Sequence, residues 1–300
     1  MKKPEKLAFD SNLMREPGVI MSLGSSVAVS GICRDILIWA ASQKSKDWVV
    51  LNVPEFCRTY GYNRQHLLKR LAGTEAAQGP QVKRMQKARF CIDEETGKTQ
   101  GKTLIDYALF TLLRENVLFS DGYSIIDKDG CYKKCSDTQA INLLNAVRIK
   151  RSQRGTQYAI KVHENFIDNC TGGHYTSFSI ADYLNIRTPS GVAWEGGRRL
   201  FLRLTWKAAR IAYQDKKPAK DRPKDYRQED YKILKEAAGL NLSSEKKNAA
   251  ALRAMIKTVE QLGNLGNVAE LTFVGEYGQQ PYQVRLKKAS RAEEVPEAAE

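Results

Sequence analysis

Apolar residues recur at helical spacing over 27–42, where Val29, Ile32, Cys33, Ile36, Trp39 and Ala40 fill one face. The run 48–53 has instead the β-branched content of a strand, and Pro54 follows at the first turn of a short helix, 54–60, where its missing N–H costs nothing. Gly61 supplies a turn, and Asn63 an N-cap for a third helix, 64–71. Leu67, Leu68 and Leu71 hold that helix to a core and leave Arg64, Gln65, Lys69 and Arg70 outward. The pattern weakens over 72–101 and returns as a packing helix, 104–118, through Ile105, Leu109, Leu112 and Leu113. Two β-rich runs, 146–150 and 156–162, then face each other across a polar, basic tip, 151–155. That tip suits a DNA-binding wing and equally a solvated surface hairpin.

Beyond Gly172 and Gly173 the order recurs. A β-rich run, 175–180, precedes a long helix, 197–213, with Leu200, Leu204, Ala208 and Ile211 on one face and Arg198, Arg199, Arg203, Lys207 and Arg210 over the remainder. The Lys- and Pro-rich link 215–224 reads as an exposed connection, with phosphate contact as the lesser reading. A helix over 228–238 ends at Gly239, and Ser243 and Ser244 offer caps for another that runs to about 262 on a stripe of Leu252, Ile256, Val259 and Leu262. Runs 269–274 and 282–287 close a hairpin with tip 275–280. A helix, a helix-turn-helix and a hairpin, taken twice, make the layout of a winged-helix module. The expected fold is therefore α+β and helix-rich, with two tandem winged-helix domains. An N-terminal arm (1–24), a first domain (25–174), a second domain (175–288) and an acidic, disordered tail (289–300) follow. The repetition lies in element order and not in aligned sequence.

Three hundred residues suffice for two cores, and 48 Lys and Arg against 34 Asp and Glu leave a net charge of +14. Such a surface attracts polyanions. The uncharged run 17–33 is too short and polar for a membrane span, and Pro4, Glu5 and Asp10 interrupt any secretory core, so the expected location is the cytoplasm, without membrane contact. The six cysteines are widely spaced and fall mostly in apolar stretches, the habit of reduced, buried thiols.

Enzymatic and metal chemistry find little support. The segment 96–103 approaches a phosphate loop, but Thr96 stands where the motif needs glycine and no apolar strand precedes it. Cys131, Cys135, His163, Cys170 and His174 lack paired zinc spacing. The three histidines are too dispersed for the metal site of a tyrosine nickase. No catalytic residue, metal or cofactor is expected. Candidate DNA contacts are Asn63, Arg64, Gln65, His66, Lys69 and Arg70 on the first recognition helix and Arg151 and Arg154 at the first hairpin. Ser244, Lys246, Lys247, Asn248, Arg253 and Lys257 on the second recognition helix, with Gln279 and Gln280 at the second hairpin, complete the set.

Over roughly 25–288 the chain resembles the theta-type plasmid replication initiators, the iteron-binding Rep proteins. The resemblance lies in the element order, the Val53-Pro-Glu-Phe-Cys-Arg-Thr-Tyr-Gly61 helix-turn, and Gln157-Tyr-Ala-Ile-Lys-Val162 running into Tyr175-Thr-Ser-Phe-Ser-Ile180. Arg198-Arg-Leu-Phe-Leu202 at the start of the long helix also matches. Phe201 stands where the family has tyrosine, and 72–101 looks like an insertion. The resemblance implies binding to direct repeats in double-stranded origin DNA, melting of nearby duplex, and recruitment of a host initiator and replicative helicase. It also implies a homodimer that represses its own gene through an operator inverted repeat. A winged-helix transcription regulator with no part in replication is the alternative, and a nucleic-acid-processing enzyme a third class.

Overall fold

The computed structural model describes residues 6–15, 27–68, 103–114, 124–126, 132–134, 143–152, 155–172, 174–224, 226–265, 269–270 and 283–286. Helices and small antiparallel sheets make up an α+β fold rich in helix. The chain divides into two compact units, one of Met1–Ile180 with Arg187–Glu195, the other of Ala181–Ile186 with Gly196–Glu300.

The first unit is built around α2 (Val27–Gln43) and α5 (Leu104–Arg114). The apolar period of α2 predicts one buried face, yet from Val29 to Ala41 the structure encloses the helix all round, Ser30, Arg34 and Asp35 included, with Trp39 half-buried. Arg34 is tolerated there because its guanidinium donates to Glu195 at 2.8 Å and lies 3.2 Å from Asp35, so its charge is matched inside. Gly31 makes room for that glutamate, since a Cβ on Gly31 would overlap the Glu195 carboxylate. Thr103 and Asp106 cap α5 reciprocally, the Thr103 amide donating to the Asp106 carboxylate (2.9 Å) and the Asp106 amide to the Thr103 hydroxyl (3.3 Å). The remaining Asp106 oxygen accepts from buried Tyr158 at 2.6 Å.

Against these helices lies a three-stranded antiparallel sheet in the order β2 (Val49–Asn52), β6 (Gly155–Val162), β5 (Leu144–Ser152). Leu51, Tyr158, Ile160 and Val162 point into the core. Ser152 pairs with Gly155, so Arg151 belongs to a strand and only Gln153 and Arg154 remain between β5 and β6. The strands are longer and the tip shorter than the sequence suggests. The helix-turn-helix follows β2 as α3 (Val53–Tyr60) and α4 (Arg64–Leu67); Lys69 to Leu71 lie outside the described residues. The small sheet of β3 (Ser124–Ile126) and β4 (Tyr132–Lys134) completes the middle of this unit.

Two expectations are corrected here. Part of the supposed arm, β1 (Lys6–Asp10), is an integral strand that leads into α1 (Ser11–Arg15) and pairs with β7 (Tyr175–Ser179). The run assigned to the second domain is therefore part of the first unit. A buried polar cluster fixes the pair against α6 (Glu164–Gly172): Asp10 accepts from the Asn12 amide at 2.7 Å and from Asn169 at 2.8 Å, and both asparagines donate to the Ser124 carbonyl at 3.0 Å. Phe9 meets Phe166 and Phe178 edge-on beside it.

The second unit begins within α7 (Ile180–Leu184) and resumes at the second residue of α8 (Glu195–Asp215). Leu200, Leu204 and Ile211 are buried as expected, but Arg198, Arg199 and Arg203 are buried with them. The expectation that these arginines face solvent fails because α8 is enclosed on every side from Gly196 to Leu204. Arg198 donates to the Ile186 carbonyl over the Tyr183 ring, and Arg203 meets Glu229 at 2.8 Å. Lys207 donates to the Gln228 carbonyl and stands 3.7 Å from Glu229; burial pulls its ammonium below the usual lysine range. The helix expected from residue 228 begins three residues later: β8 (Gln228–Asp230) precedes α9 (Tyr231–Ala238). A turn leads to α10 (Glu245–Leu262), followed by β9 (Ala269–Glu270) and β10 (Gln283–Leu286) in the sheet order β8-β10-β9.

Both units contain, in order, a helix, a strand, an eight-residue helix, a further helix and two strands, with α5 and the β3–β4 sheet inserted before the last two strands of the first unit; in both, the first of these three strands pairs with the last and the last with the middle one. Arg203→Ala is expected to cost about 3–5 kcal/mol in urea unfolding, because Glu229 stays buried and keeps only the longer 3.7 Å pairing with Lys207. Replacing Arg203 and Glu229 together by methionine is expected to be close to neutral.

Candidate nucleic-acid interface

The α3–α4 and α9–α10 turns are built alike. Asn52 caps α3, its side chain accepting from the Glu55 amide at 3.3 Å, and Asp230 caps α9 by accepting from the Lys232 amide at 2.8 Å. Nine positions after each cap stands a left-handed glycine, Gly61 (φ 76°) and Gly239 (φ 70°), a conformation that a side chain would strain. The next helix is capped in turn: Asn63 accepts from the His66 amide (3.2 Å) and Ser244 from the Lys247 amide (3.3 Å).

In the first unit Asn63, Arg64, Gln65 and His66 are all exposed, while Leu67 is buried and ties α4 to the core. Phe56 stacks on Tyr60 and on Tyr62, and the Tyr62 hydroxyl donates to Asp35 at 2.8 Å, so the turn is fixed to α2. Burial pushes the nearby Cys57 thiol up to about 11, with Arg64 opposing. Cys33, Cys57 and Cys170 are buried free thiols, raised chiefly by desolvation.

In the second unit Lys246, Lys247, Arg253 and Lys257 are exposed. Lys246, Arg253 and Lys257 align with Ala250 on one exposed stripe of α10, a ridge of about three turns. Leu252, Ile256 and Val259 bury the opposite face as expected; Leu262 is only half-buried. Asn248, expected among the contacts, is 2% exposed. Its side chain accepts from the Leu242 amide (2.8 Å) and donates to the Leu242 carbonyl (3.3 Å), which closes the turn before α10. Asn248 therefore shapes the turn and is not available to a ligand. Ser244 is exposed with its hydroxyl committed to the cap.

Lys69, Arg70, Arg154, Gln279 and Gln280 lie outside the described residues, as does the side chain of Arg151. Sequence reasoning passed over Arg148, exposed on β5 with its guanidinium 4.4 Å above the ring of half-exposed Trp48, and Arg187, whose Nη2 donates to the Thr59 carbonyl at 3.1 Å. The alternation of β5 could have found Arg148; nothing local signals Arg187. The link between α8 and β8 is exposed as expected, but ordered: Arg222 donates to the Lys217 and Asp215 carbonyls, and Tyr226 and Arg227 both donate to the Asp215 carboxylate at 2.6 Å.

Among the described residues no cluster of three or more His, Cys, Asp or Glu is placed to hold a metal ion, and no helix is long and apolar enough to cross a membrane. No protein-family model matches the chain, and no curated protein matches it in sequence.

Asn248→Ala is expected to lower stability by about 1–3 kcal/mol in urea unfolding, since the Leu242 amide loses its partner. Glu245 accepts from Lys235 at 2.7 Å and Tyr231 at 2.9 Å, and these bonds hold its carboxyl below the ordinary 4.5. A depressed native pKa gives a contribution that is complete above the unfolded value and lost as pH falls through the native one. The stability gap between wild type and Glu245→Gln is therefore expected to close as the pH drops below 4.5 in pH-dependent urea titrations.

Proposed function

We propose that this chain is a sequence-specific binder of double-stranded DNA, built from two tandem winged-helix domains, that initiates replication at a plasmid origin. One observation carries the reading. Twice, on sheets of the same strand order, a left-handed glycine turn leads to a capped helix whose exposed side chains include cations: Arg64 beside Gln65 and His66 in one unit, Lys246, Lys247, Arg253 and Lys257 in the other. Such helices suit the major groove, where arginine and lysine pair with guanine and amides with adenine, while surrounding cations neutralise phosphates. Arg64, Gln65 and His66 would read bases from the first unit, and Lys246, Lys247, Arg253 and Lys257 would hold and read DNA from the second. Each β5–β6 or β9–β10 hairpin would serve as a wing.

The initiator role rests on the resemblance to iteron-binding Rep proteins in motif and element order. In this reading the protein works in the cytoplasm without catalysis or cofactor, opens duplex beside its repeats, engages a host initiator and helicase, and represses its own gene as a homodimer.

Footprinting on the DNA flanking the gene, at physiological salt with random-sequence competitor, tests the proposal. An array of protected direct repeats that also supports autonomous replication is expected. Protection of a lone promoter-proximal inverted repeat would make the protein a transcription regulator, and no specific protection would sink the DNA reading. Glu at both Lys246 and Lys247 is expected to abolish specific binding, whereas Arg291→Glu changes it little. Alanine at one base-reading side chain should cost about 1–3 kcal/mol and relax preference at one base position.

A further inference from the structure

The two left-handed glycines that end α3 and α9, Gly61 and Gly239, each have an arginine guanidinium where a side chain would otherwise stand. A Cβ on Gly61 would lie 3.2 Å from Cζ and 3.3 Å from Nη1 of Arg187; a Cβ on Gly239 would lie 2.5 Å from Nη2 and 3.7 Å from Cζ of Arg199. The two arginines come from different parts of the chain. Arg187 opens the segment Arg187–Glu195 of the first unit, and Arg199 sits one turn into α8 of the second.

We propose that Arg187 and Arg199 are positioning residues that set the direction in which α4 and α10 leave their turns, and so control base readout without touching DNA. This rests on the DNA-binding reading. The physical case begins with length: α3 and α9 have eight residues each, too few to hold an orientation by their own hydrogen bonds. Their C-terminal carbonyls carry partial negative charge, and a planar guanidinium can face several of them at once. Arg187 meets one of them, the Thr59 carbonyl, at 3.1 Å.

The segment behind Arg187 is itself anchored. The Ala193 amide donates to the Gly61 carbonyl at 3.3 Å, Thr188 and Gly191 close a tight turn, and Glu195 holds Arg34 at 2.8 Å. Arg34 neighbours Asp35, which takes the Tyr62 hydroxyl. Turn residues 59–62 are therefore gripped from two directions, by Arg187–Glu195 and by α2. In the second unit Gly196 lets α8 approach the Ala238 carbonyl so closely that a Cβ there would overlap it, which brings Arg199 beneath Gly239. The Gly239 and Leu240 amides close α9 on Glu236 and Lys235 at 3.0 Å, and the Arg199 guanidinium packs against the turn so formed.

Arg187 is half-buried, so its replacement is the informative variant, and Arg187→Lys is the control that keeps charge and a donor. In the full chain, amide hydrogen exchange without DNA is expected to speed up at Leu67 and Leu68 in Arg187→Met and to return toward wild type in Arg187→Lys. On the duplex that wild type protects, Arg187→Met is expected to weaken specific binding about tenfold, the loss of roughly one base contact. It should relax preference at the same base positions as Gln65→Ala and leave the salt dependence unchanged. A fall of about 0.9 in the slope of log K against log salt, with base preference intact, would make Arg187 a phosphate contact and overturn the proposal. Unchanged exchange and binding would overturn it too. Altered exchange with no specific footprint for wild type would retain the turn-setting role and discard DNA readout as its purpose.

Discussion

The left-handed glycine nine positions after an Asx cap is the constraint from which each unit is organised. Asn52 and Asp230 satisfy the free amides at one end of a two-turn helix, and Gly61 and Gly239 stop it at the other. A helix of fixed length ending at a fixed angle delivers the next helix to one place only. Asn63 and Ser244 then start that helix with its first turn toward solvent, and Leu67 in one unit and Leu252 in the other seat its inner face. The strand just before each cap, β2 or β8, pairs with the last strand of its unit, so the turn and the hairpin are parts of one frame.

Buried charge supports that frame. Arg34 between Glu195 and Asp35, and Arg203 against Glu229, each take a cation out of water and match it at 2.8 to 3.2 Å. Such pairs give little net stability, because desolvation offsets the attraction, yet breaking one leaves an uncompensated charge inside. Their effect is to penalise alternative packings of α2 and α8 that would part each cation from its carboxylate. The Asp10, Asn12, Asn169 and Ser124 cluster acts likewise with one carboxylate and amides, and fixes β1 at the start of the described chain.

Features carried by neighbouring residues were legible in the sequence. Asn52, Pro54, Gly61 and Asn63 announce two helices and the turn between them by local chemistry, and Ser244 with the Leu252, Ile256 and Val259 stripe does the same for α10. Non-local pairing was not. Gln228, Glu229 and Asp230 have no strand character and become one only because β10 lies alongside; Lys6 to Asp10 looked like an arm because its partner is 165 or more residues away. Burial of polar side chains was the other blind spot. A helical wheel places Arg198, Arg199 and Arg203 outside on charge alone, and Asn248 beside Lys247 looks like a ligand contact until Leu242 is found to occupy both ends of its amide.

Burial leaves the sign of the surface charge as it is: among the described residues Arg34, Arg198, Arg199 and Arg203 are buried, and so are the carboxylates of Asp10, Asp35, Asp106, Glu229 and Glu260. A net charge attracts any polyanion, so the argument for nucleic acid must come from where the exposed cations stand. On α10 Lys246, Arg253 and Lys257 share one stripe with Lys247 beside it, while the described part of α4 offers Arg64 with an amide and an imidazole. Phosphate attraction scales with the number of neutralised charges, whereas base discrimination depends on hydrogen-bonding shape. Under the proposed reading, the described part of α10 is therefore suited to holding a backbone, and the described part of α4 to reading a base edge.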